Sequence, residues 1–486
     1  MSKANGKPRS SFEYVEGWGM AVGGRARVLR PRSVDEIAQS MQIARADGVS
    51  LGLRGTGCSY GDASVNADGH VLDVSQMDRV LDWNPETGII DLEAGVTLEK
   101  LWKHILPDGW WPKVVSGTMF PTVAGTSAMN IHGKNNFKVG TFGDNVIDFD
   151  IVLPSGELRT CSRSQNADLF HAAIGGFGML GAFSRIKTKT TKIHSGEIDV
   201  KGVSVHNLRE MMDYFEAEKA NADYLVGWID CFGSEENAGR GLIHHARYLD
   251  EGEDPRASES LSVAHQELPG MIMGVFPKSE VWRFMRLLAN DIGWRAVCAA
   301  KHQMGRMEGM GGWHRQSHAA FNFLLDYVPN WKFAYGRKDG RGLIQYQSFL
   351  PNETAHDAYQ EILRHCQKRD MVSYLGVFKR HRPDPFWMTH SNDGWSLALD
   401  FKVTPESRAD LWRLCDELTE IVLEAGGKFY FAKDLVIGHQ AMLAMFPTEK
   451  REAFLALKRE LDPEELLQTN LWRRIFTESD ERTAPA

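Results

Sequence analysis

The stretch Leu51–Val65, LGLRGTGCSYGDASV, constrains this chain more than any other. It opens as an apolar strand and breaks into Arg54-Gly55-Thr56-Gly57-Cys58-Ser59-Tyr60-Gly61-Asp62. Glycines at 55, 57 and 61 let the backbone turn sharply and present its N–H groups. Successive exposed N–H groups form a concave anion site suited to a phosphate or pyrophosphate. Taken alone, the same residues also fit a polar hairpin turn.

Bulk properties narrow the class. A chain of 486 residues is expected to divide into more than one domain. Its 43% apolar content supplies large cores. A net charge of −8 argues against a nucleic-acid partner. The six cysteines are scattered with no C-x-x-C pair, which suits a reducing compartment and predicts no metal framework. The N-terminus lacks an apolar signal core, and no apolar run approaches the ~20 residues that span a bilayer. The expectation is a soluble cytoplasmic protein, with peripheral membrane contact left open.

Ser33-Val34-Asp35-Glu36 reads as a capping box opening a helix that ends at Asp47-Gly48. Residues 115–136, VSGTMFPTVAGTSAMNIHGKNN, hold no charged residue before Lys134. A small-residue loop this long is a ligand-lining element or a surface loop, and its Val, Met and Ile residues favour the first. Gly176-Phe177-Gly178-Met179-Leu180-Gly181 matches G-x-G-x-x-G. The dinucleotide fingerprint needs a strand before it and a helix after it. Here a helical run precedes and an alternating strand, Phe183–Thr188, follows, so the motif is read as a tight helix-to-strand turn. Residues 250–263 read as a mobile acidic loop. Residues 269–315 are rich in Met, Trp and Arg, with Val281, Phe284, Met285 and Leu288 on one helical face. They are a core helix, the favoured reading, or an adaptable apolar lid. From residue 342 onward strands alternate with returning helices, including a predicted strand Lys428–Lys433. That pattern suggests an antiparallel sheet covered on one face.

Several motifs in order give the chain its likeness: RGTGCSYGD at Arg54–Asp62, Ser116–Thr118, IHGKN at Ile131–Asn135, Gly143, Gly175–Gly181, Gln345-Tyr346-Gln347, Val377-Phe378-Lys379 and YFAKD at Tyr430–Asp434. With these it resembles the flavin-dependent vanillyl-alcohol oxidase / p-cresol methylhydroxylase (PCMH) superfamily, and within it the decaprenylphosphoryl-ribose-oxidase-like flavoenzymes. The resemblance implies an α+β fold: a two-subdomain PCMH-type FAD-binding domain over 12–195, a substrate domain over 196–427 with an antiparallel sheet covered by helices, and a C-terminal segment, 428–486, returning to the FAD domain.

It also implies FAD as cofactor, oxidoreductase activity and the site residues. Arg54, Gly55, Thr56, Gly57, Cys58, Ser59, Tyr60, Gly61 and Asp62 are expected to cradle the FAD pyrophosphate. Gly117, Thr118, Thr122, Val123, Ala124, Gly125, Asn130 and His132 are expected along the flavin and ribityl chain, Phe183 on the adenine side and Tyr430 against the flavin ring. Lys433 matches the family's active-site lysine. A lysine base must be neutral, which needs desolvation or nearby cations. Lys134 and Lys379 match positions in the same pocket and either supply that repulsion or bind a substrate phosphate. Tyr60 and Gln347 are expected to bond sugar hydroxyls. Cys58 stands where many members carry the histidine that links FAD, so the FAD is expected to be non-covalent. The family's pocket cysteine is replaced by Ala398, and the polar residue two places earlier is Ser396 instead of asparagine. The expected reaction is oxidation of a secondary alcohol on a sugar or polyprenyl-phosphate sugar, by hydride transfer to flavin N5. The alternatives are an aldonolactone or polyol oxidase and a non-catalytic flavoprotein subunit. A partner reductase for the keto product is an expectation by family analogy.

Overall fold

The computed structural model describes residues 8–268, 270–272, 276–337 and 340–477, and of residues 272 and 306–311 the backbone alone. Three sheets organise them. The first holds Arg9–Glu16, Gly23–Arg30, His70–Asp73 and Leu51–Arg54 in that spatial order. Its outer pair is antiparallel, whereas His70–Asp73 lies parallel to both Gly23–Arg30 and Leu51–Arg54. The helix Val34–Ala46 makes the crossover. Ser33 caps it by accepting from Glu36 N at 3.2 Å, but the reciprocal bond runs from Arg32 N to the Glu36 carboxylate. The predicted box is therefore displaced by one residue on its return side. Gly48, at φ +68°, closes the helix.

The second sheet is antiparallel around one long central strand, Ala182–Lys192, which pairs with Ile89–Glu93, Val146–Val152 and Trp110–Pro112. The helix Ala167–Ala173 precedes the G-x-G-x-x-G turn and this strand follows it, the reverse of a dinucleotide fingerprint.

The third sheet has eight antiparallel strands, in the order His314–Ser317, Glu197–Val205, Gly241–Tyr248, Tyr224–Ile229, Leu375–His381, Gly394–Val403, Gly342–Pro351 and Lys428–Phe429. Side chains alternate between faces along a strand. Phe378 and Trp395 stack with their rings 5.1 Å apart, and Phe215 and Tyr359 from the covering helices pack edge-on against them. The opposite set, Val226, Trp228, Gln345, Gln347, Val377, Lys379 and Ala398, faces a cavity. The helices Leu208–Glu218, Ala355–Lys368 and Arg408–Glu424 thus seal one face and leave the other for chemistry.

Three sequence expectations change. The strand predicted over Lys428–Lys433 ends at Phe429. Beyond it the backbone turns, with Lys433 N donating to Tyr430 O at 3.0 Å and Tyr60 N to Ala432 O at 2.9 Å. The acidic loop at 250–263 is tied down: Asp254 is buried and accepts from Ser195 and Ser260. Residues 269–315 are not a core helix. The described part forms two helices, Val281–Leu288 and Asp291–Gly311, the second packed on the cavity side of the large sheet. No residue of the first is buried, and Phe284, Leu287 and Ile292 are 58%, 75% and 84% exposed. Periodicity gives a helix an apolar face without saying what covers it.

Candidate active site

The Gly-rich loop is held by its own backbone and by Arg54. The guanidinium donates to Ser64 O at 3.1 Å and Glu16 O at 3.2 Å, folding back beneath Gly57, whose φ is +72°. Gly55 lies so near Thr122 that a Cβ would come within 2.2 Å of its hydroxyl. Thr122 in turn caps the short helix Val123–Ala128, accepting from Gly125 N at 3.1 Å. The two small-residue stretches seen in the sequence therefore pack together. They form one wall of a cavity of about 480 Å³, and the large sheet forms the other.

Arg54, Gly55, Thr56, Gly57, Cys58, Ser59, Tyr60, Gly117, Thr118, Thr122, Ala124, Gly125, His132, Lys134, Phe183, Gln347, Lys379, Tyr430 and Lys433 all line this cavity. Four of the expected residues lie off its wall. Gly61 turns its Cα toward Asp434, where a Cβ would stand 1.8 Å from the carbonyl oxygen. Asp62 is fully buried in a bidentate pair with Arg474, at 2.8 and 2.9 Å. Arg474 also donates to Asp434 at 2.8 Å. That triad fastens the Gly-rich loop to the segment bearing Lys433. Val123 packs in the core, and Asn130 accepts from Gly143 N at 2.9 Å and donates to Asp384 at 3.0 Å.

At the sheet end, charges dominate. Lys433 Nζ lies 3.8 Å from the centroid of the Tyr60 ring. Burial holds its amine below the ordinary lysine value, while Asp400 pulls in the opposite direction. Burial raises the Asp400 carboxyl, which accepts from Gln345 Nε2 at 2.6 Å. Lys379 is pushed down to about 7 by burial and then by the charge of Lys433. Lys134 is held well below its ordinary value by burial and then by Lys379, and it donates to the carbonyls of Phe321 and Asn322. His132 Nε2 lies 3.1 Å from the Gln347 amide nitrogen. With the amide donating, the imidazole carries its proton on Nδ1. Register places Ala398 between Gln347 and Val377, and Ser396 between Phe349 and Lys379. Ser396 bonds His381 at 2.7 Å and does not line the cavity, so of the two departures only Ala398 reshapes the pocket directly.

Trp228, His244 and Lys301 also line the cavity and were not singled out from the sequence, and Gln345, quoted there only within a motif, lines it too. Gln345 lies one alternate position from Gln347, a spacing that strand periodicity alone marks as the same face. Nothing local marks the others.

The cavity fits FAD. Its wall is backbone-rich along both small-residue stretches, and Tyr60 Oη, Tyr430 Oη and His132 Nδ1 are buried beside it without hydrogen-bond partners among the described residues. Buried polar atoms left unpaired in a protein normally have a ligand or water to satisfy them.

Residues 26–162 match the FAD binding domain family. The chain is an FAD-dependent oxidoreductase, similar to the PCMH-type FAD-binding flavoproteins. It is 27% identical over 472 residues to decaprenylphosphoryl-beta-D-ribose oxidase of Mycolicibacterium smegmatis, an alignment covering 96% of this chain and 98% of that protein. It is 29% identical over 167 residues to cytokinin dehydrogenase 3 of Arabidopsis thaliana, covering 33% of this chain and 32% of that enzyme.

Proposed function

We propose that this enzyme oxidises a secondary alcohol of a sugar, most readily one carried on a polyprenyl phosphate, with Lys433 as the base. The observation that carries this reading is the convergence of Lys134, Lys379 and Lys433 in one cavity with the Gly-rich loop. In the same reading residues 12–195 and 428–486 hold the cofactor, and 196–427 hold the substrate. Bound FAD supplies the acceptor for the hydride leaving the alcohol carbon.

The protein's own part is proton handling and placement. Removing a hydroxyl proton at neutral pH needs a base matched to that pH. Burial makes the neutral Lys433 amine accessible, and Asp400 stabilises the ammonium it becomes. Tyr60 and Gln347 orient the sugar hydroxyls, and Lys379 and Lys134 attract its phosphate. Cys58 is kept protonated by burial, which supports FAD held without a covalent link. Acid precipitation then releases the flavin into the supernatant; flavin retained in the pellet refutes that point.

No described helix is long and apolar enough to cross a membrane. The exposed Phe284, Leu287 and Ile292, with Arg283 and Arg286 beside them, suit a lipid surface approached from the cytoplasm. The keto product would pass to a separate reductase. The decisive test is anaerobic titration of the flavin-loaded enzyme. Bleaching by farnesylphosphoryl ribose and not by free sugars supports the reading. Bleaching only by aldonolactones or polyols, a substrate class that the smaller Ala398 wall also admits, replaces it. Lys433→Ala is expected to retain the flavin absorbance and lose its reduction.

A further inference from the structure

Besides Lys379 and Lys433, the cavity is lined by Arg54, Lys134 and Lys301, and by no carboxylate among the described residues. Arg54 is engaged beneath the Gly-rich loop, and Asp400 offsets Lys433 from behind the wall. Lys134, His244 and Lys301 meet at another part of the same wall. His244 and Trp228 point into the cavity from adjacent strands, Gly241–Tyr248 and Tyr224–Ile229. Lys301 reaches it from the helix Asp291–Gly311, with its Nζ 4.4 Å from the centroid of the Trp228 ring. His244 feels both Lys301 and Lys134, which with burial hold its imidazole at about 4. It is therefore a neutral hydrogen-bonding group between two lysines.

The helix Asp291–Gly311 is seated to make this contact. At Gly305 it approaches the sheet so closely that a Cβ would stand 2.1 Å from the Leu242 side chain. Trp294 donates to Tyr374 O, Tyr374 Oη donates to Asp291 at 2.9 Å, and Arg295 lies over the Phe232 ring at 4.5 Å. Leu324, 51% exposed, lines the same cavity, so the wall reaches solvent beside this cluster.

We infer that Lys301, with Lys134 and His244, forms a phosphate subsite that selects the anionic part of the substrate, and that the helix Asp291–Gly311 is therefore a specificity element and not merely a cover. Two or three point charges around a partly desolvated pocket are the recognition chemistry of a phosphate monoester or diester. The phosphate would enter past Leu324, and its apolar substituent would lie toward the exposed face of Val281–Leu288. The identity of the phosphate as part of a sugar substrate rests on the function proposed above; the subsite does not.

The test uses flavin-loaded enzyme, with farnesyl phosphate and farnesol as probes and binding read by calorimetry. The expected result is that wild type prefers the phosphate at least thirtyfold, that Lys301→Gln cuts this preference about tenfold, and that Lys301→Arg keeps it. Ribose 1-phosphate as competitor separates the sources: displacement of farnesyl phosphate assigns the subsite to sugar phosphates generally, and no displacement assigns it to lipid phosphates. An unchanged preference in Lys301→Gln, or equal binding of the two probes by wild type, overturns the inference. If no alcohol bleaches the flavin while the preference still depends on Lys301, the sugar-oxidation reading fails and the subsite stands.

Discussion

Arg474→Met tests whether the Gly-rich loop and the Lys433 segment are one structural unit. Arg474 is 2% exposed at its side chain, and its partners Asp62 and Asp434 are 0% and 4% exposed. The guanidinium makes two bonds to Asp62, at 2.8 and 2.9 Å, and one to Asp434 at 2.8 Å. A methionine of similar length fills the space and strands two buried carboxylates against each other. Breaking a buried ion pair from one side costs about 3–5 kcal/mol, because the remaining charge is left uncompensated. At ~2–4 °C per kcal/mol for chains of a few hundred residues, the unfolding midpoint should fall on the order of 10 °C. Urea denaturation followed by tryptophan fluorescence measures the loss. Gel filtration measures whether flavin still travels with the protein, since Gly61 and Asp434 separate when the clamp opens. The control is the triple variant Asp62→Asn, Asp434→Asn, Arg474→Met, which removes the charges together. It should recover more than half the loss, because the amide oxygen that replaces the Asp434 carboxylate can still accept from the backbone N–H groups of Val436 and Ile437. A loss below about 1 kcal/mol in the single variant, or a triple variant no better than the single one, refutes the reasoning.

Gly61→Ala drives a methyl into the Asp434 carbonyl, so it should lower the unfolding midpoint and flavin retention together; a fully loaded, equally stable variant argues against close approach as the reason for glycine. With neutral Lys433 as base, kcat/KM should rise with pH through its lowered titration. Asp400→Asn, by removing the upward pull, should move that limb to lower pH, and a limb that stays in place removes Asp400 from the mechanism. Lys379 carries fewer protons folded than unfolded between pH 7 and 10.5, so its burial destabilises the fold below pH 7 and ceases to do so above 10.5. Lys379→Met should therefore raise the midpoint by several degrees at pH 6, and thermal scans at pH 6, 8 and 10.5 should show that gain shrinking. Phe284→Glu with Ile292→Glu should reduce co-sedimentation with anionic vesicles severalfold while leaving flavin absorbance unchanged; equal co-sedimentation removes the lipid-facing role of this surface.

Much of the fold was legible because its signals are local. The glycine spacing of the first loop, the charge-free run before Lys134 and the helix-turn-strand context of the G-x-G-x-x-G match each depend on a few neighbouring residues. The alternation that puts Gln345 and Gln347 on one face, and Val377 and Lys379 on another stretch of it, is equally local. What stayed hidden depends on partners distant in the chain. Asp62 belongs to a nine-residue motif, yet its side chain answers to Arg474, some four hundred residues away. Gly61 serves the same junction and not the ligand. The helix at 281–288 shows a clear apolar face of which Met285 packs against a buried cluster while Phe284 and Leu287 stay exposed, and Lys301 lies in a stretch read as a core helix or an apolar lid, neither of which marks a lysine.

The distribution of charge separates the three cavity lysines into roles that their shared burial does not. Lys134 is already spent on two backbone carbonyls, which fixes its position, so it suits donating to an anion brought in by the substrate. Lys379 has Lys433 as its principal charged neighbour and no carboxylate partner among the described residues, so its ammonium lacks the counter-charge that Asp400 gives Lys433. Lys433 alone combines a lowered amine with a carboxylate, Asp400, able to stabilise the protonated product. It also stands on the segment that Tyr60 N and Arg474 bind to the Gly-rich loop, so Lys433 and that loop belong to one structural unit. A base needs a fixed position against the hydroxyl whose proton it takes before its basicity can count. In the proposed reaction that requirement selects Lys433, and it explains why a chain would bury an arginine between two aspartates to keep those segments together.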